Sequence, residues 1–232
     1  MLRRELLAGL FAAVTVPAKE AVDVALVLVG DVSRSIDEGE YKLQKDGYAA
    51  ALTDPRVLAA ITGGQFQAAA LAYVEFAGAE EVRTVVDWAV VRDAATLGDF
   101  AARLAAAPRS YVGHTAIGDA ITFARMKLTE ASFPGARRVI DVCGDGTNNS
   151  GESLAEARDA AAAAGITVNG LTIINEHAPA FMWAHTHPPG GLTKWYEDNV
   201  IGGPGAFVLE VHDFAAFGEA LTRKLLQEIA AA

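Results

Sequence analysis

The sequence predicts an α/β fold of Rossmann-like type: a doubly wound, mostly parallel central sheet of about six strands, with one antiparallel edge strand and helices on both faces. Three observations carry this expectation. From Val22 onward, short apolar runs rich in β-branched residues alternate with alanine-rich stretches of helical spacing, the pattern of parallel strands joined by crossover helices. The first run, VDVALVLVG, is apolar almost without interruption, as a central strand covered on both faces must be. The runs FQAAALAYVEFA and EVRTVVDWAV follow one another across a short turn at Gly78, close enough to pair antiparallel, and their hairpin forms one edge.

The remaining elements follow in order. After the first strand ends at Gly30-Asp31, helical spacing runs through EYKLQKDGYAAAL until Asp54-Pro55 interrupts it ahead of VLAAI. A helix with an Asp93-to-Thr96 start, DAATLGDFAARLAAA, leads into a loop from Pro108 to Gly113. A further helix begins near Thr115, and RRVIDVCG is the fourth strand. The helix ESLAEARDAAAAA stops at Gly165, a residue suited to the left-handed conformation just past a helix end, and ITVNGLTII is the fifth strand. Residues 175–205 form a long loop, AFVLEV a short strand, and a final helix starts at Asp213. A connection as long as 175–205 inside a compact domain is either functional or disordered. With 232 residues, 52% of them hydrophobic, one domain over 19–232 is expected, and no internal repeat divides it.

Charge and composition narrow the function. The net charge of -10 repels phosphate backbones and anionic lipid, so nucleic acid is not an expected partner. The single cysteine, Cys143, excludes an intrachain disulfide and lies in an apolar strand, where a thiol acts as a small hydrophobe. At the start of the chain, Arg3 and Arg4 precede an apolar stretch from Leu6 to Val16, with Val16-Pro17-Ala18 offering small residues for cleavage. Residues 1–18 are therefore expected to be an export signal, of general secretory or twin-arginine type, that sends the protein to the periplasm; if the segment is instead an N-terminal helix, the protein stays cytoplasmic. The apolar stretch is too short to span a bilayer, and no later segment offers a membrane span.

The chemistry concentrates at three places. Asp31-Val32-Ser33-Arg34-Ser35 lies between the first strand and the following helix, at the carboxyl end of a central strand, where doubly wound folds put their ligand sites. Gly113-His114-Thr115 and Gly144-Asp145-Gly146-Thr147-Asn148-Asn149 should reach the same rim. Together they supply carboxylates and hydroxyls, the oxygen donors that a hard cation such as Mg²⁺ requires. Taken singly, each also fits a plainer role: Asp and Ser cap helices, Thr115 can cap one too, and Asp before Gly forms turns. Asn148 and Asn149 are expected to be turn formers.

These three motifs, in this order, resemble the metal-ion-dependent adhesion site (MIDAS) of von Willebrand factor type A domains, and the resemblance extends from about Val22 to Val211. It implies that Ser33 and Ser35 bind the metal through Oγ, and that Thr115 binds directly or through water. Asp31 and Asp145 would act mainly through water and by accepting hydrogen bonds. Mg²⁺ is the implied cofactor, with Mn²⁺ or Ca²⁺ as alternatives. The implied partner is a protein that offers an Asp or Glu side chain, or a C-terminal carboxylate, to the open coordination position. The runs QKDGYAAAL, AYVEFAG, TAIGDAI, RRVIDVCGDGTNN and DNVIGGPGAF are further similar to an uncharacterised bacterial family of exported type A domain proteins, DUF1194. Two residues depart from the adhesion pattern: Arg34 and His114 stand where glycine is common, and either would clash with the metal or contact an anionic ligand.

Two other readings stay open. His177, His185 and His187, with Glu176 and Asp198 nearby, could ligate zinc, or form a polar lid packed by Trp183 and Trp195. A metal-assisted hydrolase would need His114 as its base, but the chain has no nucleophile elbow, Walker lysine or D-x-D nucleophile. The fold could also serve as a structural subunit without metal-dependent binding. The adhesion reading makes the protein a binding module and not an enzyme.

Overall fold

In β1 (Val24–Asp31) every residue is buried, and the side chains divide alternately between two cores. Val24, Leu26 and Leu28 enter one, while Ala25, Val27 and Val29 enter the other. This is why the run is apolar at consecutive positions: a strand with helices on both faces has no solvent side. The computed structural model describes residues 20–230 except 132, 177, 179 and 213; the expected export segment, residues 1–18, lies outside them.

Around β1 the sheet has the order β3-β2-β1-β4-β5-β6, with β2 (Ala69–Phe76), β3 (Val82–Val91), β4 (Arg137–Gly144), β5 (Thr167–Ile173) and β6 (Val208–Val211). All neighbours are parallel except β2 and β3, which pair antiparallel at the edge as the short Gly78 turn requires. The chain leaves β1 toward β2 on one side and reaches β4 on the other, so the strand order reverses at β1. The crevice outside the carboxyl ends of β1 and β4 is therefore the ligand position of this fold class.

The first core is closed by α1 (Glu38–Leu52), α2 (Pro55–Thr62), α3 (Ala94–Ala106) and α8 (Phe217–Ala230), which contribute Tyr48, Val57, Phe100 and Leu221. The second is closed by α4 (Ile117–Ala131), α5 (Leu154–Ala163) and α7 (Leu192–Asn199), through Ile121, Ala157 and Tyr196. Helix starts are fixed by short-range chemistry. Asp37 and Glu40 form a reciprocal capping box with both bonds at 2.8 Å, and Asp93 with Thr96 forms another. Asp54 caps α2 with Pro55 in the first turn, where a missing N–H leaves no bond unmade.

Residues 175–205 do not form the long loop expected from the sequence. They contain a 3-10 turn at Ala180–Met182, the short α6 (Trp183–Thr186) and α7, whose Leu192 and Tyr196 are buried in the second core. The Pro188-Pro189-Gly190-Gly191 run that suggested a loop only separates two short helices, with both glycines at positive φ. The final helix begins at Phe217, after a 3-10 turn at Phe214–Ala216, and the expected start at Asp213 lies outside the described residues.

Candidate metal centre

β1 delivers Asp31 to the rim, and the following turn is built so that its hydroxyls face inward. The Val32 and Arg34 N–H groups donate to Phe76 O and Gly113 O at 2.9 and 3.0 Å, which ties the turn to β2 and to the loop that carries Thr115. The guanidinium of Arg109 donates to Val32 O, Ser33 O and Ile36 O at 2.8, 2.9 and 2.8 Å, gathering three carbonyls of the turn on one side chain. Thr115 is fixed by Asn149: its N–H donates to Asn149 Oδ1 at 2.9 Å, and its carbonyl accepts from Asn149 N–H at 2.9 Å.

Asp31, Ser33, Ser35, Thr115 and Asp145, all buried, are thereby brought to one place. Thr115 Oγ1 donates to Ser33 Oγ at 3.0 Å, Ser33 Oγ lies 3.0 Å from Ser35 Oγ, and Ser35 Oγ donates to Asp145 Oδ1 at 2.6 Å. Asp31 Oδ1 accepts the Ser33 N–H at 2.7 Å. The other carboxylate oxygens, Asp31 Oδ2 and Asp145 Oδ2, are buried without a hydrogen-bond partner. Burial pushes the Asp31 carboxyl up to about 6 and Asp145 well above its ordinary value, the latter further raised by the charge of Asp31.

This donor set fits a cation. Two unpartnered buried carboxylate oxygens are costly by themselves, and a positive ion with water ligands would satisfy them. In octahedral Mg²⁺, bonds of about 2.1 Å place adjacent donors about 3.0 Å apart, the spacing seen between the hydroxyls. A pocket of about 40 Å³ opens beside Ser33, Ser35 and Thr115. No group of three or more His, Cys, Asp or Glu side chains suited to a metal occurs among the described residues, so a cation here must draw on hydroxyl oxygens.

The two departures from the adhesion pattern lie at the mouth of the centre. Arg34 and His114 are exposed and line the same pocket. The proposed histidine cluster for zinc is not assembled among the described residues. His187 stacks on Trp183 with ring centroids 3.7 Å apart, His185 instead faces Thr115, and His177 lies outside the described residues.

The sequence does not single out Arg109, in an unremarkable loop, or Tyr196, in the segment expected to be a loop; it marks Asn149 only as a turn former and His185 only as one of three histidines for zinc or a polar lid. Tyr196 packs under the carboxylates because Gly144 leaves room: a Cβ there would sit 2.7 Å from Tyr196 Oη and 3.0 Å from Asp31 Oδ2. The only available signal was the glycine before Asp145, which marks a close approach without naming what approaches.

A family model for proteins of unknown function, DUF1194, matches residues 21–232. No curated protein matches the sequence. Among solved structures, proximal thread matrix protein 1 from the mussel byssus, with a zinc-occupied MIDAS motif, is 18% identical, with a TM-score of 0.63 over 90% of this chain and 48% of that one. A von Willebrand factor type A protein from Catenulispora acidiphila is 18% identical, with a TM-score of 0.61 over 90% and 43%. The pilus adhesin SpaC from Lactobacillus rhamnosus GG is 15% identical, with a TM-score of 0.65 over 90% and 30%. This chain thus spans less than half the length of each of these three, and identities so low carry the fold alone. The chain belongs to the DUF1194 family, and its fold is that of a von Willebrand factor type A domain.

Proposed function

We propose that this protein is an exported, metal-dependent binding module and not an enzyme. Its centre holds Mg²⁺, or Mn²⁺ or Ca²⁺ in its place, and engages an Asp or Glu side chain or a C-terminal carboxylate of a partner protein. The observation that carries the reading is the chain of hydroxyls Thr115, Ser33 and Ser35 above two buried carboxylates, each with an unpartnered oxygen. Ser33, Ser35 and Thr115 would be direct ligands, and Asp31 and Asp145 would orient water and balance charge. A bound hard cation supplies a positive charge with an exchangeable coordination position, the feature an anionic partner group recognises. Related folds support the reading, since they include a pilus adhesin and a protein with a zinc-occupied MIDAS. The periplasmic destination rests on Arg3, Arg4 and the apolar stretch that follows. Among the described residues no helix is long and apolar enough to cross a membrane.

Affinity purification from a periplasmic extract in Mg²⁺, eluted with EDTA, tests the reading. A partner released by chelator and absent from the Ser33→Ala variant supports it. Partners retained equally with Mg²⁺, with EDTA and on Ser33→Ala would point to a structural subunit instead.

A further inference from the structure

We propose that His185 is an intramolecular ligand of this centre. Its Nε2 takes the outward position that a partner's carboxylate needs, and the centre closed in this way prefers a borderline cation, Zn²⁺ foremost, over Mg²⁺. The inference rests on the five-residue site being a metal centre.

His185 Nε2 lies 3.2 Å from Thr115 Oγ1, close to the spacing between the hydroxyls themselves. Its Nδ1 lies 3.1 Å from Thr147 Oγ1 and 3.4 Å from Asn149 Nδ2, and its carbonyl accepts the Thr147 N–H at 3.1 Å. Ring and backbone are thus both anchored to the turn that carries Asp145. Gly146 permits the approach, since a Cβ at that position would lie 2.1 Å from Nε2. With His185 and Met182 forming one wall of the pocket, the most exposed of the five site residues, Ser35, is only 7% accessible. A partner side chain therefore has to displace this segment before it can reach the hydroxyls.

The hydrogen-bond directions fit a ligand in waiting. Thr115 Oγ1 donates to Ser33 Oγ and Ser35 Oγ to Asp145 Oδ1; with the proton on His185 Nε2 and Ser33 donating to Ser35, the whole run has one direction and Nδ1 is left as the acceptor for Asn149 Nδ2. With a cation held by the hydroxyls, the imidazole proton would sit on Nδ1 and be donated to Thr147 Oγ1 in place of the Asn149 contact, and Nε2 would present its lone pair. A ligating histidine held through its other nitrogen is the usual arrangement for such sites. Imidazole suits Zn²⁺, whereas Mg²⁺ favours oxygen, so this one nitrogen shifts selectivity. On its outer side the segment leaves Phe181 82% and Trp183 49% exposed.

Calorimetric titration of the full chain with Zn²⁺ and separately with Mg²⁺, in wild type, His185→Ala and Ser33→Ala, tests the assignment. The expected result is a Zn²⁺ affinity at least tenfold weaker in both variants, with Mg²⁺ affinity in His185→Ala unchanged or higher. Should His185→Ala fail to fold by circular dichroism, His185→Gln replaces it with the same expectation. Zn²⁺ affinity unaffected by the histidine substitution overturns the proposal while leaving the Mg²⁺ site standing. Zinc lost in His185→Ala but kept in Ser33→Ala also overturns it, by showing that the histidine holds the ion without the serine hydroxyls of the centre. Binding of neither ion to wild type removes both the proposal and the metal centre beneath it.

Discussion

Ser35 Oγ donates to Asp145 Oδ1 across 2.6 Å, a buried bond that joins the turn after β1 to the turn after β4. It closes the crevice at the switch point of the sheet and brings the serine hydroxyls beside a carboxylate that has little other compensation. Asp145→Asn keeps an acceptor for Ser35 and removes a buried charge next to Asp31. In EDTA this variant should be as stable as wild type or more stable by about 1 kcal/mol, while its Mg²⁺ affinity falls at least tenfold. Paired urea denaturation and calorimetry check the opposing signs; a variant both less stable and fully competent in binding would refute the assignment.

The pH dependence follows from Asp31, whose carboxyl is raised from its ordinary 3.8 to about 6 by burial. A carboxylate raised on folding holds a proton in the native state that the unfolded chain has released, so it contributes stability at low pH that is lost as pH rises from about 4 to 6. Asn at this position does not titrate. In chelator, the stability of wild type relative to Asp31→Asn should therefore decline across that window. In Mg²⁺, where ion replaces proton, wild type should gain stability as pH rises, and Mg²⁺ affinity should weaken below pH 6. Denaturation of the two proteins at both ends of the window, with and without Mg²⁺, measures each sign.

Arg109 holds the turn from outside. Arg109→Ala removes the donors from three carbonyls and should destabilise the fold by about 2–4 kcal/mol, with weaker Mg²⁺ binding although Arg109 touches no proposed ligand atom. Arg109→Lys should recover only part of both, because one ammonium does not reproduce the planar fork. The ion pair with Glu38 adds little, since Glu38 is largely exposed. Equal Mg²⁺ affinity in all three proteins would show that the turn keeps its shape unaided.

How much of this was legible in sequence depends on how far apart the interacting residues lie. β1 and the β2–β3 hairpin were legible because burial on two faces and short connections leave local patterns. Asp93 and Thr96 announced a helix start because capping is a contact over three residues. Asp31, Ser33, Ser35, Thr115 and Asp145 were legible as a group because each lies just past a strand or just before a helix, and strand order alone brings those ends together. Arg109 and Tyr196 were not, since neither sits at a strand end and their partners lie 76 and about 50 residues away; His185 stood out only as one of three histidines, with no local pattern to tie it to Thr115, 70 residues away. α7 was missed because its eight residues offer few apolar positions, and Pro188 to Gly191 mask its start.

A separate test concerns the first core. Lys224 is fully buried, ion-paired to Asp141 and, at 2.5 Å, to Glu228, which also accepts from Asn169 Nδ2 at 2.8 Å. Burial and the charge of Asp141 push Glu228 up to about 7. Lys224→Met leaves two carboxylates uncompensated and should cost about 3–5 kcal/mol; adding Asp141→Asn and Glu228→Gln should restore most of it. Denaturant midpoints of the single and triple variants distinguish a balanced buried cluster from a merely packed one.

The most direct measurement is anomalous diffraction from crystals grown or soaked with Mn²⁺. A peak within bonding distance of Ser33 Oγ, Ser35 Oγ and Thr115 Oγ1, flanked by Asp31 and Asp145, is the predicted result. Full Mn²⁺ occupancy at some other place, with these five residues keeping their mutual hydrogen bonds, would contradict the account.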